Sequence, residues 1–262
     1  MNPNKDQAKK FLKEIPILKW AVISFRALKR KHDIMAITKE LAGFFQDWSA
    51  YRKLSQNPKF NTETKDLYPR LFDKTATTGI DPVYFYQDTW CARKIFENKP
   101  TRHYDVGSKA DLVGTISQFV PTTMVDIRPL EVTLPELSFV KGSILELPFK
   151  DNEISSLSSI CVIEHIGLGR YGDPLDQFGS EKAVSELSRV LSPSGSLYVS
   201  VPIDNENRVY FNAHRAFTRE YILELFGELS KVEEKYIYGN KIYDTYDKAR
   251  GFGTGLYHFK KI

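Results

Sequence analysis

The sequence predicts an α/β protein: a mostly parallel sheet that ends in an antiparallel pair of strands and follows a helical extension. From Thr101 onward, strand-like and helix-like segments alternate, which is typical of parallel strands joined by crossover helices. The last two strand-like segments have no helix between them, so we expect them to pair antiparallel. Before Thr101 the apolar residues recur at helical spacing. The 262 residues, 42% apolar and 27% charged, suffice for one such domain and an extension.

The extension, residues 1–100, begins with a basic amphipathic helix predicted at 16–31, where Pro16 suits a first helical turn. Met1 to Lys31 holds nine basic and two acidic residues, a net of +7, so a chain total of +4 leaves about −3 for the remainder. Two interpretations stay open for this helix. It packs on its own domain or on a partner in a homodimer, or it lies on an anionic membrane surface.

Two more helices are predicted in the extension, at about 33–54 and 82–98. The second of them starts after Asp81, a good N-cap followed by proline at the first helical position. The first carries apolar residues at spacings of four, three, four and three, which we interpret as a core stripe: Ile37, Leu41, Phe44, Trp48 and Tyr51.

The domain at 101–262 is predicted to have strands near 102–106, 122–127, 137–141, 156–162 and 196–202. Crossover helices are predicted near 109–120, 180–191 and 218–228, and the antiparallel pair near 232–238 and 255–260. Ser192 to Gly195 is predicted to be a turn that leads into the fifth strand.

A turn after the first strand is the centre of the predicted site. The strand ends in Asp105-Val106, and Gly107-Ser108 leads into a helix. A glycine there lets the backbone approach a ligand, and the helix N-terminus offers free N–H groups. About twenty residues further on, the second strand ends in Asp126, where an acid binds ribose hydroxyls in a Rossmann-type sheet. These features predict a cofactor that contains a nucleoside.

Five blocks of sequence follow one another in the order and spacing of a known superfamily. They are Asp105 to Ser108, Val125 to Ile127, Gly142 to Phe149, Val162 to Ile166 and Leu187 to Pro202. In these blocks the chain resembles the class I S-adenosylmethionine-dependent methyltransferases. Two further segments, Tyr84 to Asp88 and Gly169 to Pro174, resemble a methyltransferase type 11-like branch known as DUF268. Bacterial members of that branch resemble sugar-modifying methyltransferases.

The resemblance implies a Rossmann-like seven-stranded sheet, S-adenosyl-L-methionine as the cofactor and methyl transfer as the activity. The sequence departs from the superfamily pattern at three places. The usual three glycines are reduced to Gly107, Ser143 stands where an acid usually contacts the adenine, and Ser155 replaces a common Asp.

The resemblance also implies which residues contact the cofactor. Asp105 would orient the methionine ammonium group, indirectly or through the turn, and Gly107 would let the backbone approach. Asp126 would accept hydrogen bonds from both ribose hydroxyls. The remaining contacts are Ser108 in the turn, Ile127 on the adenine ring, Ser143 and Ile144 at the adenine edge, and Ser159 and Cys161 at the methionine end.

A hydroxyl acceptor would need a base, and the candidates are His165, His214 and Asp173. His165 follows the fourth strand, and His214 lies beyond the fifth strand at the same sheet edge. The loop from Gly167 to Gly179 is polar and glycine-rich, which suits a carbohydrate. The predicted substrate contacts are Arg170, Tyr171 and Asp176 in this loop and Tyr86 and Gln87 in the helix at 82–98. The Glu164-His165 pair and the aromatic residues of that helix also have structural interpretations, which stay open.

We therefore expect O-methylation of a sugar or glycan hydroxyl, in glycan biosynthesis, by in-line transfer with a His or Asp base. The alternatives are an NAD-dependent sugar-modifying enzyme and an inactive scaffold of the same fold at a membrane surface.

No zinc-type Cys/His spacing is present, so no metal is predicted, although Asp173 and Asp176 could hold a divalent ion. The acidic balance after Lys31 disfavours nucleic acid. No signal peptide or membrane span is evident, so the expected location is cytoplasmic, with the inner membrane face left open.

Overall fold

A computed structural model describes residues 34–60 and 63–262 of the chain, so the predicted basic helix at 16–31 lies outside the described residues. The chain divides between Gly79 and Ile80 into two compact units. The expected domain boundary at residue 101 falls inside the second unit. The reason is that the helix at Pro82–Asn98 contacts the strands and helices that follow it.

The first unit contains helix α1, Ile34–Lys53, where the sequence predicts a helix at 33–54, and a short 3₁₀ turn at Thr64–Asp66. Of the predicted core stripe, Ile37 is buried, Leu41, Phe44 and Trp48 are half-buried, and Tyr51 is 56% exposed. The stripe therefore becomes more exposed toward its C-terminal end.

The second unit is an eight-stranded sheet with helices on both faces. Its helices are α2 (Pro82–Asn98), α3 (Ala110–Ile116), α4 (Gly179–Val190) and α5 (Arg219–Leu225). Its strands are β1 (His103–Val106), β2 (Thr122–Asp126), β3 (Leu137–Lys141), β4 (Ile154–Ile160), β5 (Leu191–Ile203), β8 (Leu229–Tyr238), β9 (Lys241–Tyr243) and β10 (Gly253–Lys261). A separate hairpin consists of β6 (Arg208–Tyr210) and β7 (His214–Ala216).

The strand order is β3-β2-β1-β4-β5-β10-β8-β9, with the first five strands parallel. Strand β10 is antiparallel to both β5 and β8, and β9 is antiparallel to β8. The predicted α/β fold with a parallel sheet and a C-terminal antiparallel pair is confirmed. The structure adds the short edge strand β9 and the β6–β7 hairpin. It also extends β5 back through the predicted Ser192–Gly195 turn, where Ser194 has a φ of 60°.

The alternation of side chains in the central strands explains why both faces of the sheet carry helices. In β5, Leu197, Val199 and Val201 join a core cluster with the inner residues of α4 and α5. Tyr198, between them, joins a second cluster with α2 and α3. Central strands buried on both faces are expected in parallel sheets.

Two helices begin at side-chain caps, and the cap at Asp81 is one that the sequence predicts. The Asp81 carboxylate accepts hydrogen bonds from Val83 N and Tyr84 N at 3.0 and 3.3 Å, which starts α2. The Thr218 hydroxyl accepts one from Tyr221 N at 3.3 Å, which starts α5. Within the described part of the chain, no helix combines the length and the apolarity needed to cross a membrane.

Candidate cofactor and acceptor site

A cavity of about 500 Å³ opens at the carboxyl ends of β1, β2, β3 and β4. Four loops that follow these strands form most of its lining. The lining includes Val106 to Ala110, Met124 to Leu130, Gly142 to Leu145 and Ile160 to Val162, together with Tyr84, His165, Ile166, Tyr171 and Asp173. Ligands bind at this edge of parallel α/β sheets because several loops converge there.

The turn after β1 has the backbone conformation that its glycine permits. Gly107 has a φ of +73°, and a Cβ added there would lie 3.0 Å from Cγ1 of Val162 in the cavity lining. Its N–H donates to Val125 O at 2.9 Å, which joins the turn to β2. A side chain at this position would be strained and would press on the cavity wall.

Asp105 supports this turn from beneath. It is fully buried, and its carboxylate accepts hydrogen bonds from Ser108 N at 3.0 Å, from Ser108 Oγ at 2.6 Å and from Ser158 Oγ. Burial raises the pKa of Asp105 to about 6. Asp105 does not line the cavity, so the structure is consistent only with the indirect role predicted for it.

The buried network continues to His103, whose ring nitrogens lie 2.8 Å from Ser156 Oγ and 2.9 Å from Ser158 Oγ. Burial lowers the pKa of His103 to about 3, so its ring is neutral at pH 7. Ser108 Oγ also accepts from Ile160 N at 2.9 Å, which connects the turn to the end of β4.

Asp126, at the end of β2, lines the cavity but already has a partner. Its Oδ1 accepts from Arg128 N at 2.8 Å and from Arg128 Nε at 3.2 Å, and its Oδ2 accepts from Arg128 Nη2 at 3.2 Å. A carboxylate has about four lone-pair sites, so one site on Oδ2 remains. If both ribose hydroxyls are to donate to Asp126, the hydrogen bond from the Arg128 side chain to Oδ1 must break. The Arg128 side chain is 57% exposed.

Most of the other predicted cofactor contacts also line the cavity: Ser108, Ile127, Ser143, Ile144 and Cys161. Ser159, which the sequence also predicts as a contact, does not line the cavity. Its side chain is fully buried within the sheet and donates to Val106 O at 3.0 Å. Cys161 has a φ of 53°, and its thiol donates to Gln87 Oε1 at 3.0 Å.

His165 is the best placed of the three predicted bases. Its Nδ1 lies 2.7 Å from the carbonyl oxygen of Ala213, which can only accept, so Nδ1 carries the proton and Nε2 keeps a lone pair. The pKa of His165 falls to about 4, mainly because the ring is buried. The nearby positive charge of Arg170 lowers this pKa further. The ring is therefore neutral at pH 7.

Glu164 is a buried acid beside His165 that we did not predict as functional. Its Oε1 lies 3.7 Å from His165 Nε2, and its Oε2 has no hydrogen-bond partner among the described residues. Burial raises the pKa of Glu164 to about 8, so the carboxyl is mostly protonated at pH 7. The sequence signal for this site was an acidic residue beside a histidine among the apolar residues of Val162 to Ile166.

The loop after β4 places Tyr171 and Asp173 on the cavity. Asp173 organises the loop, because its Oδ2 accepts from Gly167 N at 2.6 Å and from Gly169 N at 3.3 Å. Its Oδ1 accepts from Tyr171 N at 3.3 Å. With these contacts made, Asp173 is a weaker candidate for the base than His165.

Tyr171 lies between two arginines. Arg128 Cζ is 4.6 Å and Arg170 Cζ 5.1 Å from the centroid of its ring, and the ring meets His165 edge-on at 5.6 Å. Arg170 itself does not line the cavity, but its Nη1 donates to Ala213 O at 2.8 Å. It therefore stands at the cavity rim beside His165.

Four other predicted acceptor-side residues lie away from the cavity lining. Asp176 pairs with Lys182 Nζ at 2.6 Å and accepts from Phe178 N at 2.9 Å, so it serves the start of α4. Tyr86 donates to Asn240 O at 3.2 Å. Gln87 is buried against β5, where its Oε1 accepts from Ser200 Oγ at 3.0 Å. His214 lies on the β6–β7 hairpin and packs against Tyr210 and Phe252.

Sequence reasoning did not single out two charged residues of the cavity wall, Lys109 and Arg128, which follow the two predicted strand ends. Their positions directly after the motifs were the available signal. In residues 34–60 and 63–262, no three His, Cys, Asp or Glu side chains are grouped to hold a metal ion.

Comparisons with known proteins agree with this architecture. Residues 149–229 match the family described as "Caenorhabditis protein of unknown function, DUF268". The N-methyltransferase NodS from Bradyrhizobium japonicum WM9, solved with S-adenosyl-L-homocysteine, superposes with a TM-score of 0.51 at 14% identity, covering 69% of this chain and 88% of NodS. A Galdieria sulphuraria protein provisionally named a sarcosine dimethylglycine methyltransferase gives a TM-score of 0.51 at 13% identity, covering 68% of this chain and 86% of its own. Comparison with curated protein sequences gave no match.

The chain therefore has the fold of the class I S-adenosylmethionine-dependent methyltransferases, and the resemblance in its motifs is confirmed at that level. The DUF268 resemblance is confirmed for the segment from Phe149 to Leu229.

Proposed function

We propose that this protein binds S-adenosyl-L-methionine and transfers the methyl group to a hydroxyl of a sugar or glycan. One observation carries the proposal. The turn at Gly107 and the carboxylate of Asp126 face one cavity at adjacent strand ends of a methyltransferase fold.

The lining of the cavity fits the proposed cofactor. Gly107 leaves space that a Cβ would fill, and the carboxylate of Asp126 has an open lone pair for a ribose hydroxyl. Ile127, Ile144 and Leu145 supply an apolar surface for a base ring. When bound, the cofactor supplies a methyl group already activated on a sulfonium.

The acceptor must be aligned with that methyl group and must lose its proton. His165 lines the cavity and is neutral at pH 7, and its Nδ1–H bond to Ala213 O fixes the ring, so Nε2 is free to accept a proton. A pKa of about 4 is lower than is best for a base working near pH 7. We therefore assign His165 to orienting the acceptor hydroxyl and accepting its proton late in the transfer.

Calorimetric titration with S-adenosylmethionine, S-adenosylhomocysteine and NAD tests the proposal. We expect the first two to bind and NAD not to bind. Asp126→Asn should weaken binding by about 10- to 100-fold, because a charged acceptor is lost from the ribose contact. Glu228→Gln is the control, since Glu228 is an exposed acid just before β8 that does not line the cavity.

The same titration separates the alternatives. Binding of NAD alone would support the NAD-dependent enzyme, and binding of none of the three would support the inactive scaffold. If Asp126→Asn bound S-adenosylhomocysteine as tightly as the unaltered protein, the assignment of this cavity would be wrong. Release of S-adenosylhomocysteine in the presence of a panel of sugars then tests the transfer itself.

A further inference from the structure

An exposed aromatic surface continues from the cavity rim onto the β6–β7 hairpin. Tyr210 and His214 face each other across the hairpin, with ring centroids 5.0 Å apart. Phe252, just before β10, lies 5.9 Å from the His214 ring and 6.5 Å from the Tyr210 ring. Tyr210 is 41% and Phe252 52% exposed. We refer to Tyr210, His214 and Phe252 as the ring surface.

One backbone carbonyl connects the ring surface to the cavity. Ala213 O accepts from His165 Nδ1 at 2.7 Å and from Arg170 Nη1 at 2.8 Å. His165 lines the cavity, and Ala213 immediately precedes His214 of the ring surface. A ligand that reaches the cavity from this side therefore passes over the rings and beside Arg170.

Arg170 brings an uncompensated positive charge to this surface. Its Nη1 donates to the Ala213 carbonyl and lies 3.4 Å from His165 Nδ1, its guanidinium lies over Tyr171, and no carboxylate among the described residues forms an ion pair with it. The loop acid Asp173 accepts from three backbone N–H groups instead. Free guanidinium donors at a rim without a carboxylate partner favour an anionic ligand group.

The hairpin is fixed against the loop after β4, so the surface is formed in advance. Arg215 of β7 is 7% exposed and donates to Ile166 O, Asp176 O and Gln177 O, the last two at 3.0 and 3.3 Å. Its Nη1 also donates to Ser180 Oγ at 3.2 Å. A surface held in this way loses little conformational freedom when a ligand binds.

We propose that the ring surface and Arg170 form the acceptor subsite, and that the acceptor is a sugar that carries an anionic group. The rings offer flat apolar faces for the C–H faces of a pyranose, and Arg170 binds the phosphate or carboxylate. This inference rests on the proposed function, because it names the acceptor class of the same site. It narrows the acceptor from any sugar or glycan to an acidic one.

Saturation-transfer NMR and calorimetry on the full chain test the inference, with and without S-adenosylhomocysteine. The probes are glucose, glucose 1-phosphate, glucuronate, UDP-glucose and inorganic phosphate. We expect the anionic sugars to bind more tightly than glucose. Arg170→Ala should remove that preference, a loss of about 10- to 100-fold for the charged sugars. Phe252→Ala should weaken all the sugars and leave inorganic phosphate unchanged.

Arg93→Ala is the control, because Arg93 is an exposed arginine of α2 outside this surface. Equal binding of glucose and the anionic sugars, or an unchanged preference in Arg170→Ala, would overturn the inference. Phosphate binding as tight as glucose 1-phosphate, unaffected by Phe252→Ala, would overturn the sugar part of it. The S-adenosylhomocysteine titration is read separately. If that ligand binds and no sugar does, the acceptor inference fails while the cofactor proposal stands.

Discussion

Replacing Glu164 with glutamine should remove a large pH dependence of stability. Burial raises the pKa of Glu164 from 4.5 to about 8 in the folded protein. A carboxyl whose pKa is raised on folding contributes its full stabilisation below about pH 4.5, the ordinary pKa. That contribution is lost as the pH rises from there through the pKa of about 8 in the folded protein. At about 1.4 kcal/mol per pKa unit, the shift corresponds to a loss of up to roughly 5 kcal/mol between pH 4 and pH 9.

Glutamine is neutral at every pH and has nearly the same shape, so the variant lacks this loss. At pH 4 the variant and the unaltered protein should have nearly equal free energies of unfolding. At pH 9 the free energy of unfolding of the variant should be higher by up to roughly 5 kcal/mol. Urea unfolding followed by tryptophan fluorescence at a series of pH values measures the difference at each pH. Comparing the variant with the unaltered protein cancels the titration of groups common to both, such as Asp105.

Glu228→Gln serves as the control, because Glu228 is exposed and its replacement should leave the pH profile of the unaltered protein intact. Parallel profiles for Glu164→Gln and the unaltered protein would refute the reasoning. They would mean that Glu164 titrates at its ordinary pKa in the fold, and the neutral carboxyl beside His165 would have to be abandoned.

Two further predictions concern the turn and the segment before β4. Gly107→Ala and Gly239→Ala both place a side chain at positive φ, at a cost of about 1–2 kcal/mol each in urea unfolding. Only Gly107→Ala should also lose calorimetric binding of S-adenosylhomocysteine, because its new Cβ would press on Val162, whereas a Cβ at Gly239 meets open space. Binding of S-adenosylhomocysteine by both variants would contradict this prediction. Arg189 of α4 makes five hydrogen bonds to carboxylates and carbonyls, so Arg189→Ala should lower the unfolding free energy by about 2 kcal/mol or more. Arg208→Ala, which breaks an exposed ion pair, should lower it by less than about 1 kcal/mol, and equal losses would count against this account.

Periodicity predicted most of the sheet, because strands buried on both faces leave a strong apolar signal. It could not assign the two faces of β4 around Ser158 and Ser159, since serines carry no hydrophobic pattern. The structure turns Ser158 toward Asp105 and gives Ser159 a backbone acceptor within the sheet. The structure therefore places Ser159 away from the cavity lining, although the sequence alone predicts a contact there.

Among the predicted site residues, those near the ends of β1 and β2 line the cavity more often than those predicted on the acceptor side. Gly107 and Asp126 lie next to strand ends, so local sequence sufficed to place them. Gln87 took a partner distant in the sequence, Ser200, which no local pattern reveals, and Asp176 instead pairs with Lys182 at the start of α4. The β6–β7 hairpin was not predicted as strand, although Asn212, with a φ of 62°, marks its turn.

The hydroxyl groups beneath the Gly107 turn bear on how the protein would fail on heating. A loop rich in glycines can move while the sheet beneath it stays intact. Here Ser108 and Ser158 tie the loop through Asp105 to the interior of β4. Thermal loss of ligand affinity and melting of the central strands should therefore occur as one cooperative event, at a single temperature.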